Sequence, residues 1–66
     1  MKIDFNGQTI EIAENTTLLS FVKEKGIVID GSAASVNDSI VPKSTWSTFV
    51  LLEGMKVDVF TLVAGG

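Results

Sequence analysis

The chain contains no cysteine and no histidine. Without cysteine there is no disulfide, no thiolate metal site, no thiol nucleophile and no cysteine-held iron–sulfur cluster; without histidine the commonest metal ligand and general base is missing as well. Catalysis by its own side chains is therefore not expected. Arginine is absent too. Five lysines stand against eight acidic residues for a net charge of −3, which repels nucleic-acid phosphates and anionic membrane surfaces and leaves proteins as the expected partners. There is no run of about 18 apolar residues to span a bilayer, and the opening MKIDFNGQTI lacks the unbroken apolar stretch of a signal peptide. A cytoplasmic protein is expected. No internal repeat or linker divides the 66 residues, so residues 1–66 are read as a single domain with a small core, burying roughly 60% of the surface of the unfolded chain. The acidic residues Asp4, Glu11, Asp30, Asp38 and Glu53 are scattered without metal-loop spacing and read as solvated surface.

What is present has clear local order. Alternation on either side of Asn6-Gly7, the pair that best supplies two positive φ angles, predicts a type I′ hairpin. With those two residues as the loop, Phe5 faces Gln8, Ile3 faces Ile10 and Met1 faces Ile12, and Lys2 meets Glu11 on the wet side. Residues 15–26 offer capping candidates, apolar positions at helical spacing, two lysines and Gly26, which predicts a helix of two to three turns with Leu18, Phe21 and Val22 inside and Leu19 at the margin. Ile27-Val28-Ile29 is read as a packed connection.

Residues 33–36 and 40–41 are predicted as two short strands joined by a turn at Asn37-Asp38-Ser39 and ended by Pro42. Residues 43–48 form an irregular or 3₁₀ turn carrying Trp46, which is read as covering an end of the core, a partner contact being the alternative. Residues 49–52 are either a short strand or a packed loop. Glu53-Gly54 turns into a last strand over 56–63, with Met55 as a turn residue. Hairpin, helix and last strand can share one core only if the helix lies across a mixed sheet of about four to five strands, which is an α+β, β-grasp arrangement.

On that last strand, Val57, Val59, Thr61 and Val63 point one way and Asp58, Phe60 and Leu62 the other. If Asp58 faces water, Phe60 and Leu62 form an exposed apolar patch suited to docking a partner; the competing reading is a bulge that turns Phe60 into the core. Glu53, Asp58 and Asp38 are the acids best placed to meet basic groups on a partner.

The sequence ends Ala64-Gly65-Gly66, read as a flexible tail. Two terminal glycines occur by chance in about 0.5% of chains at a usage of roughly 7%, so a frayed end stands beside a functional reading. Glycine has no Cβ, and a Gly-Gly end can thread a narrow channel and present its carboxylate. A carboxylate is a poor electrophile until joined to AMP. The chain has no phosphate loop or basic cluster to bind ATP, so activation must come from another protein.

Taken together, the opening strand with Phe5-Asn6-Gly7, the Thr17-Leu18 helix start, Val36-Asn37 followed by Ile40-Val41-Pro42, Trp46, Glu53-Gly54, Phe60 and Ala64-Gly65-Gly66 resemble the ThiS family, sulfur carriers of thiamine thiazole biosynthesis, over essentially the whole chain. Lys43 stands where an arginine is common and Met55 where aspartate is frequent. The resemblance implies that a ThiF-like adenylating enzyme uses ATP to form an acyl-adenylate on Gly66, and that a cysteine persulfide donor replaces AMP to leave a thiocarboxylate. It implies further that the sulfur passes to a ThiG-like thiazole synthase, with Gly65 and Ala64 threading the tail and Phe60, Leu62 and Asp58 docking the partner. The chain itself would bind no cofactor and act as a recycled co-substrate. Rival readings are the small subunit of molybdopterin synthase, with the same tail chemistry and a pterin acceptor, a ubiquitin-like modifier joined to lysines, and a plain β-grasp interaction domain.

Overall fold

The Asn6-Gly7 turn sets the first register of the fold. In the computed structural model, which describes residues 1–61, Asn6 has φ 49° and Gly7 φ 87°, as a type I′ turn requires. Strand β1 (Lys2–Phe5) therefore pairs antiparallel with β2 (Gln8–Glu11) through Lys2–Glu11, Ile3–Ile10, Asp4–Thr9 and Phe5–Gln8. Met1 and Ile12 extend the pairing with two backbone hydrogen bonds of 2.8 Å. This is the register the alternation predicts, and it sends Ile3 fully into the core while Lys2 and Glu11 stay exposed.

Helix α1 (Leu18–Glu24) follows, about two turns long, with Leu18, Phe21 and Val22 buried and Leu19 half-buried. Its ends are closed by different means. At the start, the Thr17 hydroxyl accepts from the Ser20 N–H at 3.2 Å, while the Leu18 and Leu19 N–H groups donate to the carbonyls of Phe49 and Trp46 at 2.8 and 3.0 Å. At the finish, Gly26 takes φ 72°, and the Gly26 and Ile27 N–H groups donate back to Lys23 and Val22, the paired bonds of a Schellman motif. Ile27 and Ile29 then pack against the core and Val28 is exposed, as a packed connection should behave.

The sheet is completed by β3 (Ser32–Val36), β4 (Ser39–Ile40) and β5 (Lys56–Thr61), in the order β2-β1-β5-β3-β4. β5 lies parallel to β1 and antiparallel to β3. A mixed five-stranded sheet with one helix is the β-grasp arrangement expected from the sequence. Details of the turns and strand ends refine the sequence reading. Ser32 and Ser39 belong to strands, and the turn between β3 and β4 is the two residues Asn37-Asp38, because both accept positive φ (51° and 69°) and a third turn residue is not needed. Of the two readings of residues 49–52 the packed loop holds: an isolated Thr17–Val50 bridge, in which the Phe49 carbonyl accepts from Leu18 N–H and Leu51 N–H donates to Thr16, ties it to the start of the helix. Met55 is more than a turn residue, since it is half-buried against the core and its Sδ accepts from the Leu52 N–H.

Ile3, Leu18, Phe21, Val22, Ala34, Val36, Val41, Trp46, Leu51, Val57 and Val59 form the core. Phe5 meets Phe21 edge to face with ring centroids 4.9 Å apart. Trp46 follows a 3₁₀ turn (Lys43–Thr45) and is 1% exposed, so the partner-contact alternative falls. Its indole N–H donates to the Val41 carbonyl at 2.9 Å, which supplies the partner a buried indole needs. Alanine would keep the backbone carbonyl that accepts from Leu19 but lose the buried ring, so Trp46→Ala should cost about 3–5 kcal/mol by cavity formation alone. Urea denaturation followed by circular dichroism would show the loss as a fall in midpoint.

Candidate functional site

β5 occupies the middle of the sheet and its alternation divides the strand between two faces. Val57 and Val59 are 0% and 7% exposed, whereas Phe60 is 43% exposed. No bulge interrupts the pairing of Val36–Val57, Ser35–Asp58, Ala34–Val59 and Ala33–Phe60, so Phe60 stands on the face away from the helix, beside half-buried Asp58. The remaining tail and docking candidates, Leu62, Ala64, Gly65 and Gly66, lie outside the described residues.

The same register brings in a residue that the sequence reading left as an ordinary strand position. Ser35 pairs with Ile40 as well as with Asp58, and paired residues share a face, so Ile40 joins Phe60 and Ala33 on the outer side of the sheet. It is 65% exposed. Two strands across and one rung along, Ile40 and Phe60 sit roughly 12 Å apart, by ordinary sheet spacings. The two-residue turn would have placed Ile40 opposite Ser35, but only the pairing of β3 with β5, more than 20 residues away, links it to Phe60.

Polar groups hold β5 at both ends. At its start, the Asn37 N–H donates to the Lys56 carbonyl at 2.8 Å and the Asn37 Oδ1 accepts from the Lys56 N–H at 3.0 Å. Lys56 also pairs with Asp38 at 2.8 Å. The hydrogen bond to Asp38, its charge, and the more distant charges of Asp58 and Asp4 raise the Lys56 pKa above 10.5. A raised lysine pKa stabilises the fold fully below 10.5 and loses that effect as pH climbs through the raised value, so the pair is intact at neutral pH. Near the other end, the Asn6 side chain meets the Val59 backbone, accepting from its N–H at 2.9 Å and donating to its carbonyl at 3.3 Å. Asparagine was legible as a turn former at both places; its grip on a distant strand was not.

Elsewhere, a shallow depression of about 280 Å³ between β2 and α1 is lined by Glu11, Ile12, Ala13, Phe21, Glu24 and Lys25. Lys25 is engaged there with the Phe21 ring, 5.7 Å from its centroid, and the other charged side chains of the lining, Glu11 and Glu24, are on its solvent-exposed residues. Among the described residues no group of three acidic, histidine or cysteine side chains could hold a metal ion, and no helix is long and apolar enough to cross a membrane.

Comparison with known proteins gives this geometry a context. A sequence model of the ThiS family matches residues 3–66. The sulfur carrier protein ThiS of Escherichia coli (strain K12) is 29% identical over 66 residues, a match covering 100% of both chains. In fold, the chain is similar to the crystal structure of a thiamine biosynthesis protein (ThiS) from Geobacter metallireducens, with a TM-score of 0.88 over 100% of each chain at 14% identity.

The two faces of β5 should respond oppositely to charge. Phe60→Asp leaves its carboxylate in water, and thermal unfolding should shift little. Val59→Asp buries an unpaired charge in a core of eleven apolar side chains and should unfold the domain. Equal collapse of both variants would put Phe60 in the core.

Proposed function

Because the chain belongs to the ThiS family, whose sequence model runs through the final glycine, we propose that it is a sulfur carrier acting through the carboxylate of Gly66. That match, covering residues 3–66, is the observation that carries the reading. A carboxylate oxygen of Gly66 attacks the α-phosphorus of ATP held by a ThiF-like adenylating enzyme, and pyrophosphate leaves. The acyl-adenylate then has a carbonyl carbon that the outer sulfur of a cysteine persulfide attacks, expelling AMP. Cleavage of the resulting S–S bond by a partner thiol leaves the thiocarboxylate. When that sulfur passes to the acceptor of a ThiG-like thiazole synthase, the C–S bond to Gly66 breaks and an oxygen from the acceptor's carbonyl or from water takes its place, which returns the carboxylate.

The division of labour follows from what the chain contains. It supplies the nucleophile, the Gly66 carboxylate, but its sequence has no phosphate loop or basic cluster for ATP, so ATP belongs to the partner and the carrier is a co-substrate. Gly65 and Ala64 offer little or no side chain to a channel around the tail. Docking falls to the outer face of β5, which carries Phe60 and Asp58, together with Leu62 beyond the described residues; exposed Ile40 and half-buried Ala33 widen the apolar part of that face.

Intact mass spectrometry tests the reading. Incubation with a ThiF-type enzyme, ATP and a persulfide donor should replace one oxygen of the chain by sulfur, and deleting Gly66 should abolish the change while leaving the fold intact. Loading of the deletion variant would sink the assignment, and a branched lysine conjugate would mark a modifier instead. Sulfur transfer to a thiazole precursor by thiazole synthase separates this carrier from one serving a pterin.

Docking has its own measurement. Burying a phenylalanine contributes roughly 1.5–3 kcal/mol, so Phe60→Asp should weaken binding to the adenylating enzyme by at least about tenfold in calorimetry.

A further inference from the structure

The ladder between β1 and β5 stops with the end of β1, while β5 runs on to Thr61. Phe5–Val57 is its last backbone pairing, followed by the Asn6 N–H donating to the Val57 carbonyl at 3.0 Å. Val59 would next present a bare N–H and C=O on that side. The Asn6 carboxamide meets both, its Oδ1 accepting at 2.9 Å and its Nδ2 donating at 3.3 Å. A carboxamide carries the donor and acceptor of a peptide group, so it adds a further rung. The hairpin does not require this. A type I′ turn needs positive φ at its two central residues, which glycine at position 6 would satisfy equally. Beyond Val59, the described residues Phe60 and Thr61 pair with Ala33 and Ser32 of β3.

We propose that Asn6 is a positioning residue for loading of Gly66: it ties Val59 to the β1 side and so, with the β3 pairing of Phe60 and Thr61, holds in place the last part of β5, from which the chain runs on to Gly66. This rests on the sulfur-carrier reading. Gly66 lies five residues beyond Thr61, the last described residue of β5, a covalent reach of at most about 18 Å. With the body of the carrier held through Phe60, the concentration of the carboxylate at the α-phosphate depends on where that short tether begins. A loosened origin spreads the carboxylate over unproductive orientations, and orientation is a large part of the advantage of an assembled site. The effect belongs to turnover within the complex, not to its formation.

Asn6→Gly keeps the turn and removes only the carboxamide. Asn37→Gly is the matched control, since it opens the same kind of turn and frees the Lys56 N–H at the opposite end of the same strand. Hydrogen exchange at Val59 and steady-state loading by a ThiF-type enzyme, followed as pyrophosphate release, would be measured for both. For Asn6→Gly, Val59 exchange should rise at least about tenfold and kcat fall about five- to tenfold, with KM within about twofold. Asn6→Asp, which keeps the acceptor and loses the donor, should fall between that variant and the unchanged chain. Asn37→Gly should hold kcat within about twofold of the original. Unchanged Val59 exchange, an unchanged kcat despite faster exchange, or equal loss of kcat in Asn6→Gly and Asn37→Gly would each overturn the positioning role while leaving the carrier reading standing. Failure of the unmodified chain to load would overturn the carrier reading and this role with it.

Discussion

The rest of the structure depends on the placement of β5 between β1 and β3 with its valines turned inward. Val57 and Val59 face α1 and the core, and the two-residue period of a strand then leaves Asp58 and Phe60 no choice but the opposite face. A one-residue slip would exchange the faces, burying a carboxylate and exposing two valines, and neither is tolerable in so small a core. The same registration that stabilises the domain therefore sets the position of Phe60. Stability and presentation are one constraint here.

Much of this was legible because the deciding interactions are local. Asn6-Gly7 names its turn type, the turn fixes the register from Lys2–Glu11 to Phe5–Gln8, and the helix is announced by Thr17 at one end and Gly26 at the other. Alternation along residues 56–61 was enough to divide the faces of β5. The features that escaped are those in which a residue serves something far away in sequence. Residues 49–52 have the composition of a strand, yet their backbone closes the first turn of α1, and no local pattern separates those uses. Ile40 shares a face with Phe60 only through β3 lying between them. Asparagines 6 and 37 are ordinary turn residues by spacing, and their side-chain bonds to Val59 and Lys56 exist only after β5 has come to lie beside them.

The candidate site divides along the same line. Phe60 and Asp58 were assigned to one face by periodicity, whereas Gly65 and Gly66, outside the described residues, were singled out by the Gly-Gly ending and the family resemblance. Periodicity reports what a residue does within its own element; it is silent on which neighbouring strand completes a surface. That is why Ile40, fully visible in the sequence as an apolar residue of a short strand, could not be assigned to the face that Phe60 occupies.

A chain of 66 residues has little core to spend on holding a central strand, and its two asparagine turns meet that shortage with side chains already required for another reason. At Asn37 the carboxamide and backbone secure the entry to β5; at Asn6 they secure the strand near its other end. Each turn reverses a hairpin and also extends a ladder it does not belong to, so the two hairpins are locked to the strand that separates them. Agreement between local turn chemistry and long-range pairing is what selects one sheet order over its competitors. It also carries the hydrogen bonding on the β1 side of β5 beyond Val57 to Val59, immediately before the exposed Phe60, so that the strand is held on both sides next to that outward-facing residue.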